Sequence, residues 1–172
     1  MALDLRDRIR DVPDFPKPGI VFKDVMPLVA DAAYFHETVQ RLAEFAEPRK
    51  PDLILGAEAR GFIFGGALAY QLGRGFVTAR KPGKLPWETV SATYELEYGT
   101  DSLEVHADAI PPGSRVIVHD DVLATGGTAK AKVELVEKLG AEVVGLVFVI
   151  ELSFLDPRKK LLGYDVHSLI QY

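Results

Sequence analysis

Two apolar runs, Arg115-Val116-Ile117-Val118 and Val143-Val144-Gly145-Leu146-Val147-Phe148-Val149-Ile150, are separated by one helix-length stretch. No other feature of the chain constrains its fold as tightly. Both runs are continuous rather than alternating, as in strands covered on both faces. Between them Ala131, Leu135, Val136 and Leu139 recur at helical spacing, and Gly140 stands where a C-terminal cap belongs. Strand, helix and strand in that order make a crossover between parallel neighbours. A second unit has the same form: a strand at Asp52-Leu53-Ile54-Leu55, a turn from Gly56 to Gly61, a helix over 62–72 capped at Gly73, and a strand over 75–79. Upstream, Asp31 is placed to cap a helix over 32–46 with Phe35, Val39, Leu42 and Phe45 or Ala46 inward, and Pro48 ends it. The expected class is α/β, a parallel-core twisted sheet flanked by helices. A chain of 172 residues, 48% hydrophobic and 26% charged, is long enough to bury such a core as one domain, 1–172.

The turn of the first crossover carries Asp120-Asp121-Val122-Leu123-Ala124-Thr125-Gly126-Gly127-Thr128. In open α/β sheets ligands bind beyond the carboxyl ends of strands, where this segment falls. Carboxylates repel phosphate. Asp120 and Asp121 should therefore face sugar hydroxyls or a metal, and the amides from Thr125 to Thr128 should face a phosphate at a helix start. One ligand carrying both groups is implied. Neither the P-loop spacing nor the dinucleotide fingerprint is present. Taken alone, the Gly pair reads as a plain strand-to-helix turn with solvated acids. The second turn, Glu58-Ala59-Arg60-Gly61-Phe62, is either an exposed loop ion pair or an Arg with backbone donors for a second anionic group.

Two segments stand apart. Over 80–109 a basic, turn-rich stretch with Arg80, Lys81 and Lys84 leads into the alternating Ser91-Ala92-Thr93-Tyr94-Glu95-Leu96-Glu97-Tyr98-Gly99. It reads as a long flexible hairpin, hard to justify as core and suited to a lid. Over 1–30 a short amphipathic helix gives way to Val12-Pro13-Asp14-Phe15-Pro16-Lys17-Pro18-Gly19, an ordered loop or extended arm, since its prolines preclude helix or central strand.

A formal charge of −5 argues against broad nucleic-acid or anionic-membrane binding, and zero Cys excludes disulfides and thiol catalysis. His36, His106 and His167 have no ligand spacing. The first ten residues lack the apolar core of a signal peptide, so a soluble, cytoplasmic protein is expected.

Acids directly ahead of Thr-Gly-Gly-Thr resemble the signature of type I phosphoribosyltransferases, which bind 5-phosphoribosyl 1-pyrophosphate (PRPP). The resemblance implies that family's fold, with a flexible hairpin lid and an N-terminal arm or hood. It assigns Asp120 and Asp121 to the ribose hydroxyls and Ala124, Thr125, Gly126, Gly127 and Thr128 to the 5′-phosphate. Ala59, Arg60, Arg80 and Lys84 go to the pyrophosphate, and a cis peptide is implied at Glu58-Ala59. The arm Phe15-Pro16-Lys17-Pro18-Gly19-Ile20-Val21-Phe22-Lys23-Asp24, with Gly83-Lys84-Leu85-Pro86, Leu96-Glu97-Tyr98-Gly99 and Ser168-Leu169-Ile170-Gln171-Tyr172, is similar to the adenine-using branch over nearly the whole chain. That branch implies transfer from PRPP to adenine, giving AMP and pyrophosphate in purine salvage by a homodimer. Mg²⁺ would be held mainly by PRPP, with no direct protein ligand. Val21 and Lys23 would contact the adenine edge through their backbone and Phe22 its face, although Phe22 on spacing alone is an ordinary core aromatic. Arg60 and Lys84 would stabilise the leaving group. Glu97 would manage the adenine proton with Tyr98 closing the site, and Glu95, on the same strand face, is an equal candidate. His119 stands where relatives carry an aliphatic residue, as a core histidine or a titratable group near the ribose. A phosphoribosyltransferase for another purine and a non-catalytic PRPP-sensing regulator are the alternatives.

Overall fold

The computed structural model describes residues 3–96 and 99–172. The expected N-terminal helix is a single 3₁₀ turn, Leu5–Arg8, with Leu5 as its buried residue. Strand β1 (Arg10–Pro13) then pairs antiparallel with β2 (Val21–Asp24), Val12 opposite Phe22. The proline-rich stretch is the turn of this ribbon: Asp14 Oδ1 accepts from the Gly19 amide at 2.8 Å, and the Phe15–Pro16 peptide is cis. Proline is tolerated because the ribbon is all edge.

Helix α1 (Met26–Ala30) leads into α2 (Ala32–Ala46), whose cap is Asp31, accepting from the amides of Ala33 and Tyr34. After it come β3 (Leu53–Ala57), α3 (Arg60–Leu72), β4 (Gly75–Ala79), the hairpin β5 (Thr89–Glu95) and β6 (Thr100–His106), β7 (Arg115–Leu123), α4 (Gly127–Lys138), β8 (Glu142–Glu151) and β9 (Val166–Gln171). The central sheet runs β4-β3-β7-β8-β9, every pair parallel. Alternate side chains of β7 enter different cores: Val116 and Val118 join Leu135, Phe148 and Leu103 on one face, and Ile117 joins Leu42, Phe64 and Leu68 on the other. Coverage on both faces is why these strands read as unbroken apolar runs.

Two expectations are corrected. Strand β7 does not stop before the acids but continues through them, with Asp120 opposite Phe148 and Val122 opposite Ile150, because β8 is long enough to pair with the whole stretch. The hairpin is not a pure excursion either. Its alternation buries Ala92, Leu103 and Val105 in the core beside α4, and Lys138 donates to the Ser91 carbonyl at 2.8 Å.

Candidate active site

The carboxyl ends of β3, β7 and β8 open into a cavity of about 390 Å³, with the β1/β2 ribbon and the hairpin as further walls. Val21, Phe22 and Lys23 line it from the ribbon, Glu58 and Arg60 from the β3 end, Lys81 and Tyr94 from the hairpin side, and Asp120, Ala124, Thr125, Gly126 and Thr128 from the β7 end. Nine of the sequence-predicted site residues, Val21, Phe22, Lys23, Arg60, Asp120, Ala124, Thr125, Gly126 and Thr128, thus share one space. Asp121, Ala59, Arg80, Lys84 and Gly127 do not line it. Glu97 and Tyr98 lie outside the described residues.

The β7–α4 turn is shaped for an anion. Gly126, the N-cap, sits at φ +82 with no side chain capping α4, so the first amides of a 12-residue helix are not closed off by a cap. A Cβ on Gly126 would lie 2.6 Å from the Pro157 carbonyl oxygen, and one on Gly127 would lie 3.3 Å from Tyr94 Cδ2. Only glycine lets the loop lie this close to both neighbours.

The acids are separately compensated. Lys132 Nζ donates to Asp120 Oδ2 at 2.7 Å and to the His119 carbonyl at 2.7 Å, and the Lys132 side chain is 0% exposed. Asp120 Oδ1 also accepts from the Asp121 amide at 3.1 Å. Arg60 Nε donates to Asp121 Oδ2 at 2.6 Å. Burial pushes the Asp121 carboxyl up to about 6, the Asp120 charge adds to the rise, and Arg60 opposes it. Arg60 is the first residue of α3, just past the cis Glu58–Ala59 peptide, and its guanidinium lies 5.0 Å from the centroid of the Phe22 ring. The exposed Glu58–Arg60 pair is therefore not formed. Glu58 instead holds Lys84 Nζ at 2.8 Å and lies 3.6 Å from Arg80 Nε.

His119 is the core histidine, fully buried. Val147 O lies 2.9 Å from its Nδ1, and its Nε2 has no hydrogen-bond partner among the described residues. Burial pushes it down to about 4; Lys132 adds to this, while Asp120 and the Val147 bond oppose it.

Sequence reasoning missed Lys132, Glu58 as a counter-ion, and Leu152, which closes the cavity from beyond β8. The signal for Lys132 was its place in the stripe Ala129, Lys132, Val136, an i, i+3, i+7 set on the inner face of α4. Among the described residues, no group of three or more His, Cys, Asp or Glu converges as a metal cage, and no helix is long and apolar enough to cross a membrane.

Comparison with known proteins agrees with this geometry. The family model described as "Phosphoribosyl transferase domain" matches residues 35–165. The chain is 63% identical to the adenine phosphoribosyltransferase of Rubrobacter xylanophilus over 98% of its own length and 91% of that protein. It superposes on the crystal structure of the Thermoanaerobacter pseudethanolicus adenine phosphoribosyltransferase with a TM-score of 0.95 at 58% identity, covering 98% of each chain. The Saccharomyces cerevisiae enzyme, crystallised with adenine and an imino-altritol bisphosphate, gives a TM-score of 0.90 at 46% identity over 96% of each. With Asp120, the uncapped helix and the aromatic ribbon facing one cavity, and 58–63% identity to the first two of these enzymes over nearly its whole length, the chain belongs to the adenine phosphoribosyltransferase family.

Proposed function

We propose that this cavity carries out the family's purine-salvage reaction, adenine plus PRPP giving AMP plus pyrophosphate, with its residues in the following roles. The observation that carries the reading is that one space is bounded by an uncapped helix N-terminus, a carboxylate and an aromatic ribbon. These suit a phosphate, a diol and a flat base. Ala124 to Thr128 hold the 5′-phosphate, Asp120 and Asp121 the ribose hydroxyls, and Phe22 the adenine face, with Val21 and Lys23 at its edge. A rigid backbone edge rejects an oxo group in place of the exocyclic amine, because the mismatch leaves buried polar atoms unpaired.

In the reaction the bond from the ribose anomeric carbon to pyrophosphate breaks, and a bond to an adenine ring nitrogen forms on the opposite face. Positive charge grows on the sugar and negative charge on the departing group, as in other glycosyl transfers. Arg60, Arg80, Lys84 and the Ala59 backbone face that negative charge. Before binding, these three cations rest on Asp121 and Glu58, so each exchanges an internal carboxylate for the substrate's diphosphate. The ring nitrogen's proton passes to Glu97, and Tyr98 helps close the site.

The acids of the site are already paired to cations, and no three-carboxylate cage converges among the described residues. Such a donor set fits a Mg²⁺ ion held by PRPP's own oxygens and water rather than by the protein. When bound it would neutralise the leaving diphosphate. The same reading makes the protein a cytoplasmic homodimer, and its lack of Cys suits a reducing compartment.

The test is pyrophosphate release from PRPP and Mg²⁺ with adenine, hypoxanthine, guanine or xanthine offered separately, beside a control without base. Release with adenine alone, matched by AMP, is expected. Release with another purine overturns the base assignment, and PRPP binding without release makes the protein a sensor.

A further inference from the structure

The acid pair ahead of a phosphate loop poses an electrostatic problem that the two counter-ions solve differently. Arg60, which balances Asp121, is 41% exposed and free to leave for another anion. Lys132, which balances Asp120, is 0% exposed and packed into the core-facing side of α4. Removing its ammonium from Asp120 would leave a charge buried and unpaired, so this partner does not exchange.

Asp120 is held from three sides. Lys132 Nζ takes Oδ2 at 2.7 Å, the Asp121 amide takes Oδ1 at 3.1 Å, and the α3 backbone closes in at Gly61, where a Cβ would stand 2.6 Å from Oδ1. A carboxylate has about four acceptor sites. With one on each oxygen occupied, the remainder can serve a ligand in the cavity that Asp120 lines. Lys132 also ties the carboxylate to the His119 carbonyl at 2.7 Å, and hence to the strand.

We propose that Lys132 is a positioning residue for PRPP: its buried ammonium fixes the Asp120 carboxylate against the strand and cancels its charge permanently. The ribose hydroxyls then meet a rigid acceptor while the polyanionic substrate meets no net repulsion from it. Lys132 touches no substrate and acts only through Asp120. The proposal rests on assigning Asp120 to the ribose.

The experiment compares Lys132→Met, Asp120→Asn and the double variant by KM for PRPP, KM for adenine, kcat and thermal midpoint. Lys132→Met should raise KM for PRPP about tenfold, the scale of one hydrogen bond to a charged group, and leave KM for adenine within about twofold. The double variant buries no lone charge and should match Asp120→Asn alone in KM for PRPP, because the two residues act as one unit. That comparison stands even where Lys132→Met alone does not fold. A lowered midpoint with KM for PRPP unchanged in Lys132→Met makes the lysine purely structural and overturns the proposal. A further rise of KM in the double variant over Asp120→Asn overturns it too, since Lys132 would then act elsewhere. If Asp120→Asn itself leaves KM for PRPP unchanged, the ribose assignment fails rather than the lysine's coupling.

Discussion

His119→Leu should flatten the acid side of the protein's stability curve. The imidazole is fully buried, with Val147 O 2.9 Å from Nδ1, and its Nε2 has no partner among Phe64 and the α3 backbone at Gly65. Protonation would bury a charge and an unpaired donor close to the Lys132 ammonium, and the histidine is accordingly pushed from 6.5 down to about 4. For a base with a depressed folded pKa, the unfolded chain binds the proton first, so stability falls as pH drops from 6.5 towards 4. At 1.36 kcal/mol per unit, the loss relative to neutral pH is about 2 kcal/mol by pH 5 and about 3 kcal/mol by pH 4. Asp121 acts in the opposite sense: raised from 3.8 to about 6, it stabilises below the lower value, and that contribution disappears as pH rises through the upper. The wild-type curve therefore mixes two opposed slopes, and the difference from the variant isolates the histidine. Urea unfolding of both proteins at a single protein concentration, at pH 7.5, 5 and 4.5, reads that difference. Parallel curves would refute the argument, because they would mean that His119 either stays neutral in the unfolded chain or is solvated in the folded one.

The raised Asp121 carboxyl also predicts an acid limb in kcat/KM for PRPP near pH 6, absent from Asp121→Asn, since a neutral acid accepts more weakly from a ribose hydroxyl than a carboxylate does; a limb that persists in the variant assigns the titration elsewhere. Gly126→Ala should raise KM for PRPP at least tenfold and cost about 1 to 2 kcal/mol in stability, because φ is +82 and the new Cβ would sit 2.6 Å from the Pro157 oxygen. Wild-type PRPP affinity in that variant would mean the loop tolerates rearrangement.

What was legible in the sequence was local. The Asp31 cap, the helix ends at Gly73 and Gly140 and the buried runs of β3, β7 and β8 depend on residues a few positions apart, and their propensities agree with the final packing. The strand's continuation through Asp120 and Asp121 was not legible, because acids read as turn residues until β8 supplies partners for Asp120, Val122 and Leu123. Val90 to Tyr94 and Leu103 to Val105 likewise alternate as any hairpin would, and only α4 lying against them makes them core. The ion pairs of the site were the least visible. Arg60 and Asp121 are 61 residues apart, Lys84 and Glu58 26, and Lys132 and Asp120 12, and no local pattern announces which charge meets which.

Those pairings resolve the oddity of acids placed before a phosphate loop in a chain of net charge −5. On the proposed assignments, Asp121 and Glu58 hold the cations that would otherwise meet the substrate's diphosphate. Asp121 occupies Arg60, and Glu58 occupies Lys84 and adjoins Arg80. These three cations are each about a third exposed or more, so trading one carboxylate for a diphosphate costs little desolvation beyond what binding already requires. Asp120 is the exception, because its partner is sealed in the core. On the proposed assignments the site divides into a rigid half, Asp120 with the α4 loop, that would grip the sugar phosphate, and an exchangeable half that would turn to the leaving group only once the substrate is present. A substitution in the rigid half should appear in PRPP binding. One in the exchangeable half, where a resting partner is given up as the new contact forms, should weigh more on turnover.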